Sequence, residues 1–595
     1  MAGAAALVVF VVLVVYANSF SGALVYDDRA SITENASIRQ LWPPGPTFQP
    51  PPESGTGGRP LANFTFAVSY ALSGLQPWGH HLLNILTHGL TALALLGVVR
   101  RTLLQPALRA QCSPHSLPLA AAVTLLWAVH PLGTQVVTYL SQRTESLMAL
   151  FYLLTLYCFI RSFGSHVRRW RLLAVGACLL GVMCKEVIAT APLLVLLYDR
   201  TFIASSFSAA LRLRWRFYAA LAATWLPLAY FLVGVGERGV GYGLGIRWFD
   251  YALTECKAVL LYLKLAVVPY PLIFDRGVEL VPSTVAAAPF ALGLAALLVA
   301  TAWALYARPL FGFAGAWFFV ILAPTSSVVP VIQQPIAENR PYLPLLAVIT
   351  LGVVTLHRYT GRRTTLAVCG LLAVAAGLAT AARNRDFASE ISLWSDTAAK
   401  VPRNARAHYN LGVPLDVAGR RTEAIASYRA AVAVDPNYAS AHANLGNALT
   451  EQGDPAAAIP HLETAVRLQP SYANAQYNFG NALLHTGRPA DAIPRYQISL
   501  RIDPQQPKAR NNLGIAFLQT GRPAEAVQEF FRALKLNPNF PDPHNNLAVA
   551  YSQLGRLADA IAHCETALRL NPNYSDARNN LVRLRASQAE ASPKP

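Results

Sequence analysis

Apolar residues run in long blocks up to about residue 382, separated by short polar and basic breaks; beyond that point the blocks give way to a helical alternation of apolar and polar positions. The first block, roughly Ala5 to Tyr16, has no basic residue before it and no small-residue cleavage site after it, so it reads as an uncleaved first helix reaching about Phe20. A polar, Pro/Gly-rich outer loop follows over 21–77, with an interfacial helix expected at Leu61–Ser73. Further spans fit near 79–99, 117–136, 146–163, 171–184, 187–199, 215–235, 284–306, 310–328, 342–357 and 364–382. Tyr251–Val268 is apolar but carries Glu255, Lys257 and Lys264 and ends at Pro269-Tyr270-Pro271, so it is read as interfacial or re-entrant. The pattern predicts about eleven crossings in a helical membrane domain over 1–382.

After residue 382 a different period takes over. Pro402, Pro436, Pro470, Pro504, Pro538 and Pro572 stand 34 residues apart. That is the period of the tetratricopeptide repeat (TPR), a helix–turn–helix unit that buries its apolar face only by stacking on neighbours. Leu411-Gly412, Leu445-Gly446, Phe479-Gly480 and Leu513-Gly514 fill the close-packing position of the first helix. Ala424, Ala458, Ala492, Ala526 and Ala560 fill the small position of the second, and Tyr428, Leu462, Tyr496, Phe530 and Cys564 the large one. Trp394 falls in that register one repeat earlier, making Asp386–Val401 the second helix of a partial repeat docked on the membrane domain. The fold class is therefore all-α: a polytopic membrane domain over 1–382, a connector over 383–401, five repeats over 402–571, and a capping helix with a disordered tail over 572–595.

Composition and charge sharpen this. Hydrophobic residues make up 54% of the chain and charged ones 13%, far from a soluble average. The net charge of +18 is not a nucleic-acid footprint, because the arginines cluster at Arg100, Arg101 and Arg109, at Arg161, Arg168, Arg169 and Arg171, at Arg212, Arg214 and Arg216, at Arg308, and at Arg358, Arg362 and Arg363. Short basic loops between spans are the positive-inside signal, which puts the N-terminus in the cytoplasm and the C-terminus outside. The seven Cys lack C-x-x-C spacing, which argues against zinc or a disulfide framework.

On the outer side, ionisable groups gather at apolar helix ends: Asp27-Asp28 after the first span, His130-Pro131, Arg143 with Glu145, Lys185-Glu186, and Glu338 with Arg340 and Tyr342. Such groups are costly there, and a convergent set indicates a site, although each alone also fits a topology or snorkelling role. Arg143 and Lys185 stand out as basic residues on the side otherwise depleted of them. In the repeats, Asn410, Asn444, Asn478, Asn512, Asn546 and Asn580 recur in one column, where carboxamides can hold an extended peptide; the plainer alternative is that asparagine at this position helps pack the turns.

The order of short motifs resembles a known family. Tyr26-Asp27-Asp28, Arg59-Pro60-Leu61, Pro77-Trp78-Gly79-His80-His81-Leu82-Leu83-Asn84, His130-Pro131 with Arg143, Lys185-Glu186 before Tyr198-Asp199, Tyr262-Leu263-Lys264 and Glu338-Asn339-Arg340-Pro341-Tyr342 precede the repeats. This is similar to the transmembrane-and-TPR (TMTC-type) protein O-mannosyltransferases and their bacterial relatives; one departure is Glu338-Asn339-Arg340, where the family more often has adjacent Glu and Arg. The resemblance implies a GT-C glycosyltransferase that takes a polyprenyl-phosphate sugar as co-substrate and transfers it, with inversion, to Ser/Thr hydroxyls of an acceptor protein outside the cytoplasm. Asp27 or Asp28 is then the catalytic base. Arg143, Lys185 and Arg340 face the donor phosphate, supported by His130, Glu145, Glu186 and Glu338. The asparagine column of the concave TPR face binds the acceptor peptide. No metal is required on this reading; a divalent cation, if used, falls to Asp27 and Asp28. An Arg-rich, Lys-poor composition suggests a bacterial inner membrane, with the endoplasmic reticulum membrane the eukaryotic equivalent. Competing readings are a GT-C enzyme acting on glycans or lipids and a non-enzymatic membrane scaffold for envelope assembly.

Overall fold

A computed structural model describes residues 1–112, 115–232, 247–326, 329–331 and 334–591. The chain is all-α, as read from its sequence, and divides into two compact units, Met1–Val401 and Pro402–Pro595.

The first unit begins with α1 (Ala2–Tyr16), then, after an irregular loop, α2 (Pro60–Ser73) and α3 (Pro77–Leu103). Proline in the first turn suits both of these helices, since its missing N–H would be unbonded there anyway, and Arg100 and Arg101 complement the C-terminal dipole of α3. A short α4 (Pro106–Cys112) leads to α5 (Ser116–Ala128). There Pro131 breaks the helix, and the chain turns 54° into α6 (Thr134–Thr138) before α7 (Arg143–Arg161). Next come α8 (Val167–Val182), α9 (Ala191–Asp199), α10 (Phe207–Ala222), α11 (Trp225–Phe231), α12 (Trp248–Val267), α13 (Thr284–Ala307), α14 (Pro309–Leu322), α15 (Leu345–Asn384) and α16 (Glu390–Lys400). The end of the expected 215–235 span lies outside the described residues.

α15 is a hairpin. Gly361 breaks it at φ 74°, a value only glycine adopts without strain. Both arms return to the end of α5: Trp127 Nε1 donates to Tyr342 O at 2.9 Å just before the first arm, and Thr380 Oγ1 donates to Val129 O at 2.7 Å from the second. Among the described residues six helical stretches are long and apolar enough to cross a membrane, seven if the bent α5–α6 pair is one span. The eleven crossings read from the sequence require α15 to count twice and α8, α10 and α14 to cross as well; these have 16, 16 and 14 residues, fewer than the ~20 of a full crossing. Multiple apolar helices make this a multi-pass membrane protein. α12 is not among the long apolar stretches.

The second unit runs from α17 (Ala405–Val417) and α18 (Arg421–Val434) through α19 (Ala439–Gln452), α20 (Pro455–Leu468), α21 (Ala473–His485), α22 (Pro489–Ile502), α23 (Pro507–Gln519), α24 (Pro523–Leu536), α25 (Pro541–Gln553) and α26 (Leu557–Leu570) to α27 (Ser575–Ala591). The register is that of the sequence. A Cβ placed on Gly412, Gly446, Gly480 or Gly514 would stand 2.4–2.6 Å from Tyr428, Leu462, Tyr496 or Phe530 of the same repeat, so the large side chain fills the space that glycine leaves. Pro414 lies within α17 and removes one of its backbone donors. The last four residues of the expected tail lie outside the described residues.

Candidate functional site

The two acids of the first loop have opposite environments. Asp28 is 0% exposed; its Oδ2 accepts the Val25 N–H at 3.0 Å and its Oδ1 the Ser141 N–H at 2.8 Å. Burial outweighs these donors and pushes its carboxyl up to about 8. Asp27 is exposed, and its N–H donates to the Tyr139 hydroxyl at 3.1 Å. Between the first helix and these acids, Tyr26 holds φ at 48°, a costly conformation for a bulky residue, and the contacts around it compensate. The Tyr26 N–H donates to Glu390 Oε1 at 3.2 Å, its ring meets Trp394 and Phe274 edge-on, and Arg29 pairs with Glu390 at 2.7 Å. Thus α16 folds with the membrane unit and clamps the loop that presents Asp27.

The broken stretch from Pro131 to Glu145 ties the other elements to this loop. Gln135 Nε2 donates to Phe274 O at 3.4 Å, Thr138 to Asn384 at 2.7 Å, and the Gln142 carboxamide accepts from Asn339 at 2.7 Å. Arg143, the first residue of α7, is 0% exposed. Its Nε donates to Asn84 Oδ1 (2.6 Å), its Nη1 to Thr65 O and Ser69 Oγ (3.0 and 2.8 Å), and its Nη2 to His80 O (2.8 Å), with the guanidinium 4.1 Å from the Phe66 ring centre. Four of the five donors of an arginine are thus used within the protein. Arg143 staples α2, α3 and α7 together beneath the acid loop.

The remaining expected residues form ion pairs. Lys185 Nζ is bonded to Glu145 Oε2, and both are buried. Glu186 pairs with Arg59 at 3.4 Å, and this pair is less buried. Glu338 accepts the Ile273 N–H at 2.6 Å and pairs with Arg276 at 3.2 Å; burial holds its carboxyl above the ordinary value. Arg340 turns toward α12, pairing with Glu255 at 2.9 Å and donating to Pro335 O and Gln334 O, both at 2.6 Å. His130 caps the turn after α5 by accepting the Leu132 N–H at 3.3 Å. Asp28, Arg143, Glu145 and Lys185 therefore gather on the segment from Leu140 to Glu145 or its partners, whereas Arg340 belongs to a separate pair on α12. Arg276, Arg59 and Tyr139 join the site without having been singled out for it in the sequence. Arg276 carries the same signal as Arg143 and Lys185, a basic residue outside the arginine clusters that separate the apolar blocks.

Both Asp28 oxygens are turned to backbone donors inside the protein. Among the described residues no group of three or more His, Cys, Asp or Glu side chains is placed to hold a metal.

In the repeat unit the asparagine column bonds from repeat to repeat. Asn512 Nδ2 donates to Asn481 at 2.9 Å, Asn546 to Asn511 at 2.9 Å and Asn580 to Asn545 at 2.9 Å, while Asn444 reaches the Tyr409 hydroxyl at 3.4 Å. These carboxamide donors brace the stack and leave carbonyl oxygens as the groups with spare acceptor capacity. Asn410 and Asn478 occupy the same column.

Comparison with known proteins agrees with both parts of the chain. The tetratricopeptide-repeat family matches residues 443–507, 477–542 and 541–574, and a TPR repeat family residues 418–453. Protein O-mannosyl-transferase TMTC4 of Mus musculus is 26% identical over 495 residues, 71% of this chain and 65% of that protein; the Homo sapiens TMTC4 is 27% identical over 496 residues, 70% and 64%. Drosophila melanogaster Tmtc2 is 34% identical over 203 residues, 31% of this chain and 20% of that protein. The chain spans just under two thirds of the length of the TMTC4 relatives. Among solved structures, YrrB, a TPR protein with an unusual peptide-binding site, aligns with 31% of this chain and 96% of its own at 21% identity and a TM-score of 0.28; MamA aligns with 32% and 98% at 21% identity and a TM-score of 0.26. The curated relatives of this chain are thus TMTC protein O-mannosyl-transferases, the family its motifs resemble.

Proposed function

We propose that the chain is a membrane glycosyltransferase that moves mannose from a polyprenyl-phosphate carrier to Ser/Thr hydroxyls of proteins on the extracytoplasmic side. The likeness to TMTC O-mannosyl-transferases supports the reaction class, and the environment of Asp27 carries the mechanism. It is an exposed carboxylate on a loop held on several sides, next to a buried acid already bonded to the backbone.

An acceptor hydroxyl is a poor nucleophile until its proton is taken. Asp27 accepts that proton as the oxygen attacks the anomeric carbon; the bond from that carbon to the carrier phosphate breaks, and its electron pair leaves with the phosphate. Attack from the face opposite the leaving group inverts the anomeric centre. The departing phosphate gathers negative charge, for which preorganised cations are the appropriate partner. Lys185, partly neutralised by Glu145, and the less buried Arg59 and Arg276 supply it, while Arg143 holds the frame on which they stand.

The repeats present the acceptor polypeptide, with the asparagine carbonyls accepting its backbone N–H groups. The basic clusters at the opposite helix ends support a cytoplasmic N-terminus and extracytoplasmic repeats, and the composition supports a bacterial inner membrane.

The test is transfer of labelled mannose from polyprenyl-phosphate mannose to protein by the full chain in detergent. Label in protein from the wild type, and transfer lowered at least about a hundredfold in Asp27→Asn, supports the proposal. Label entering glycan or lipid instead, or undiminished transfer by Asp27→Asn, overturns it.

A further inference from the structure

The end of the membrane unit remote from Asp27 has a feature that the transfer reaction does not use. A cavity of about 170 Å³ opens between α3, α7, α9, α14 and α15. Leu103, Leu156, Phe313, Trp317 and Val354 make up much of its apolar wall. The hydroxyls of Thr102 and Tyr198, also in the wall, bond to each other at 3.0 Å. Among the described residues of the lining Arg358 is the one that carries a charge, and it is exposed.

The cavity is distant from the acid loop. Asn84, which holds Arg143, is separated from the lining residues Val98 to Leu103 by about 21 to 28 Å of helix along α3. Three wall helices carry arginines at this end. Arg100 and Arg101 lie in the last turn of α3, Arg308 caps the start of α14, and Arg362 and Arg363 follow Arg358 around the Gly361 break of α15. An apolar cavity of this size excludes water and readily takes an apolar ligand, and arginines at a membrane surface favour anionic headgroups.

We propose that this cavity binds an acyl chain of an anionic phospholipid drawn from the leaflet on the basic side, with the lipid phosphate against Arg358. The site is separate from the transferase reading and stands or falls without it. The isoprenoid tail of a sugar carrier would have its own phosphate near the acid loop and would leave Arg358 without a headgroup. Charge complementarity at the mouth therefore favours the phospholipid.

The experiment is native mass spectrometry of the full chain, delipidated in mild detergent and titrated with phosphatidylglycerol, phosphatidylethanolamine or polyprenyl phosphate. The wild type should hold one phosphatidylglycerol in preference to phosphatidylethanolamine. Ala314→Trp and Val354→Trp, which fill the cavity, should lose that lipid while eluting as monodisperse protein. Arg358→Gln should keep a bound lipid but lose about fivefold of the preference for the anionic headgroup. Equal retention by a folded filling variant, an unchanged headgroup preference in Arg358→Gln, or displacement of phosphatidylglycerol by an equal concentration of polyprenyl phosphate would each overturn the assignment. If neither filling variant folds, the Arg358→Gln preference alone decides.

Discussion

Asp28 accepts the backbone N–H of Ser141 at 2.8 Å across 113 residues of chain, and this bond ties the loop after α1 to the break between α6 and α7. An asparagine has one oxygen where Asp28 has two, so Asp28→Asn leaves either Val25 N–H or Ser141 N–H facing an amide donor. We expect a loss of about 1–3 kcal/mol of stability, read as a lower melting temperature by fluorescence-detected gel filtration, with transfer lost in step with folded protein.

The same residue sets a pH dependence. Its carboxyl is raised from near 4 in the unfolded chain to about 8 in the folded one, so the folded state binds the extra proton between those values. This contribution is fully present below pH 4 and is lost as pH rises toward 8. The melting temperature of the wild type should fall relative to that of Asp28→Asn between pH 5 and 8. Parallel curves for the two proteins would show that Asp28 does not titrate in this window.

Asp27→Asn should have the opposite profile. Its side chain is exposed at the surface of the loop, so folded protein should still be obtained and any shift in melting should be small beside the loss of transfer, which falls by about 10²–10⁴, the usual range for a general base. Single-turnover measurement with excess enzyme separates this from weakened acceptor binding.

Lys185 and Glu145 are buried together, so removing either one strands a charge. Lys185→Gln and Glu145→Gln should each cost about 3–5 kcal/mol, and the double variant less than the sum. If Lys185 also meets the carrier phosphate, the double variant recovers its melting temperature but not its apparent affinity for the lipid donor.

The repeat unit followed the sequence closely because its information is local and repeated. A glycine that must face a large side chain 16 residues later, as Gly446 faces Leu462, is visible as a fixed spacing. The site was legible only as residue types. Which of Asp27 and Asp28 is open depends on Ser141, and the burial of Arg143 depends on carbonyls of Thr65 and His80, and neither relation has a local period. The asparagine column was legible as a column, while the direction of its amide donors, toward the preceding repeat, depends on how neighbours stack.

That direction gives a further prediction. Asn512→Ala removes a bond to Asn481 and should lower the melting temperature of the repeats by a few degrees. It should also weaken capture of an acceptor peptide several-fold, measured by fluorescence anisotropy on the full chain. A fall in stability with unchanged peptide affinity would assign the column to packing alone.

The helix that braces Tyr26 and Arg29 ends at Lys400, and the first full repeat of the 34-residue period follows from Pro402. Duplication or deletion of a whole repeat downstream leaves Glu390 and Trp394 untouched. The number of helix pairs in the array can thus change in whole steps without touching a contact that holds the acid loop.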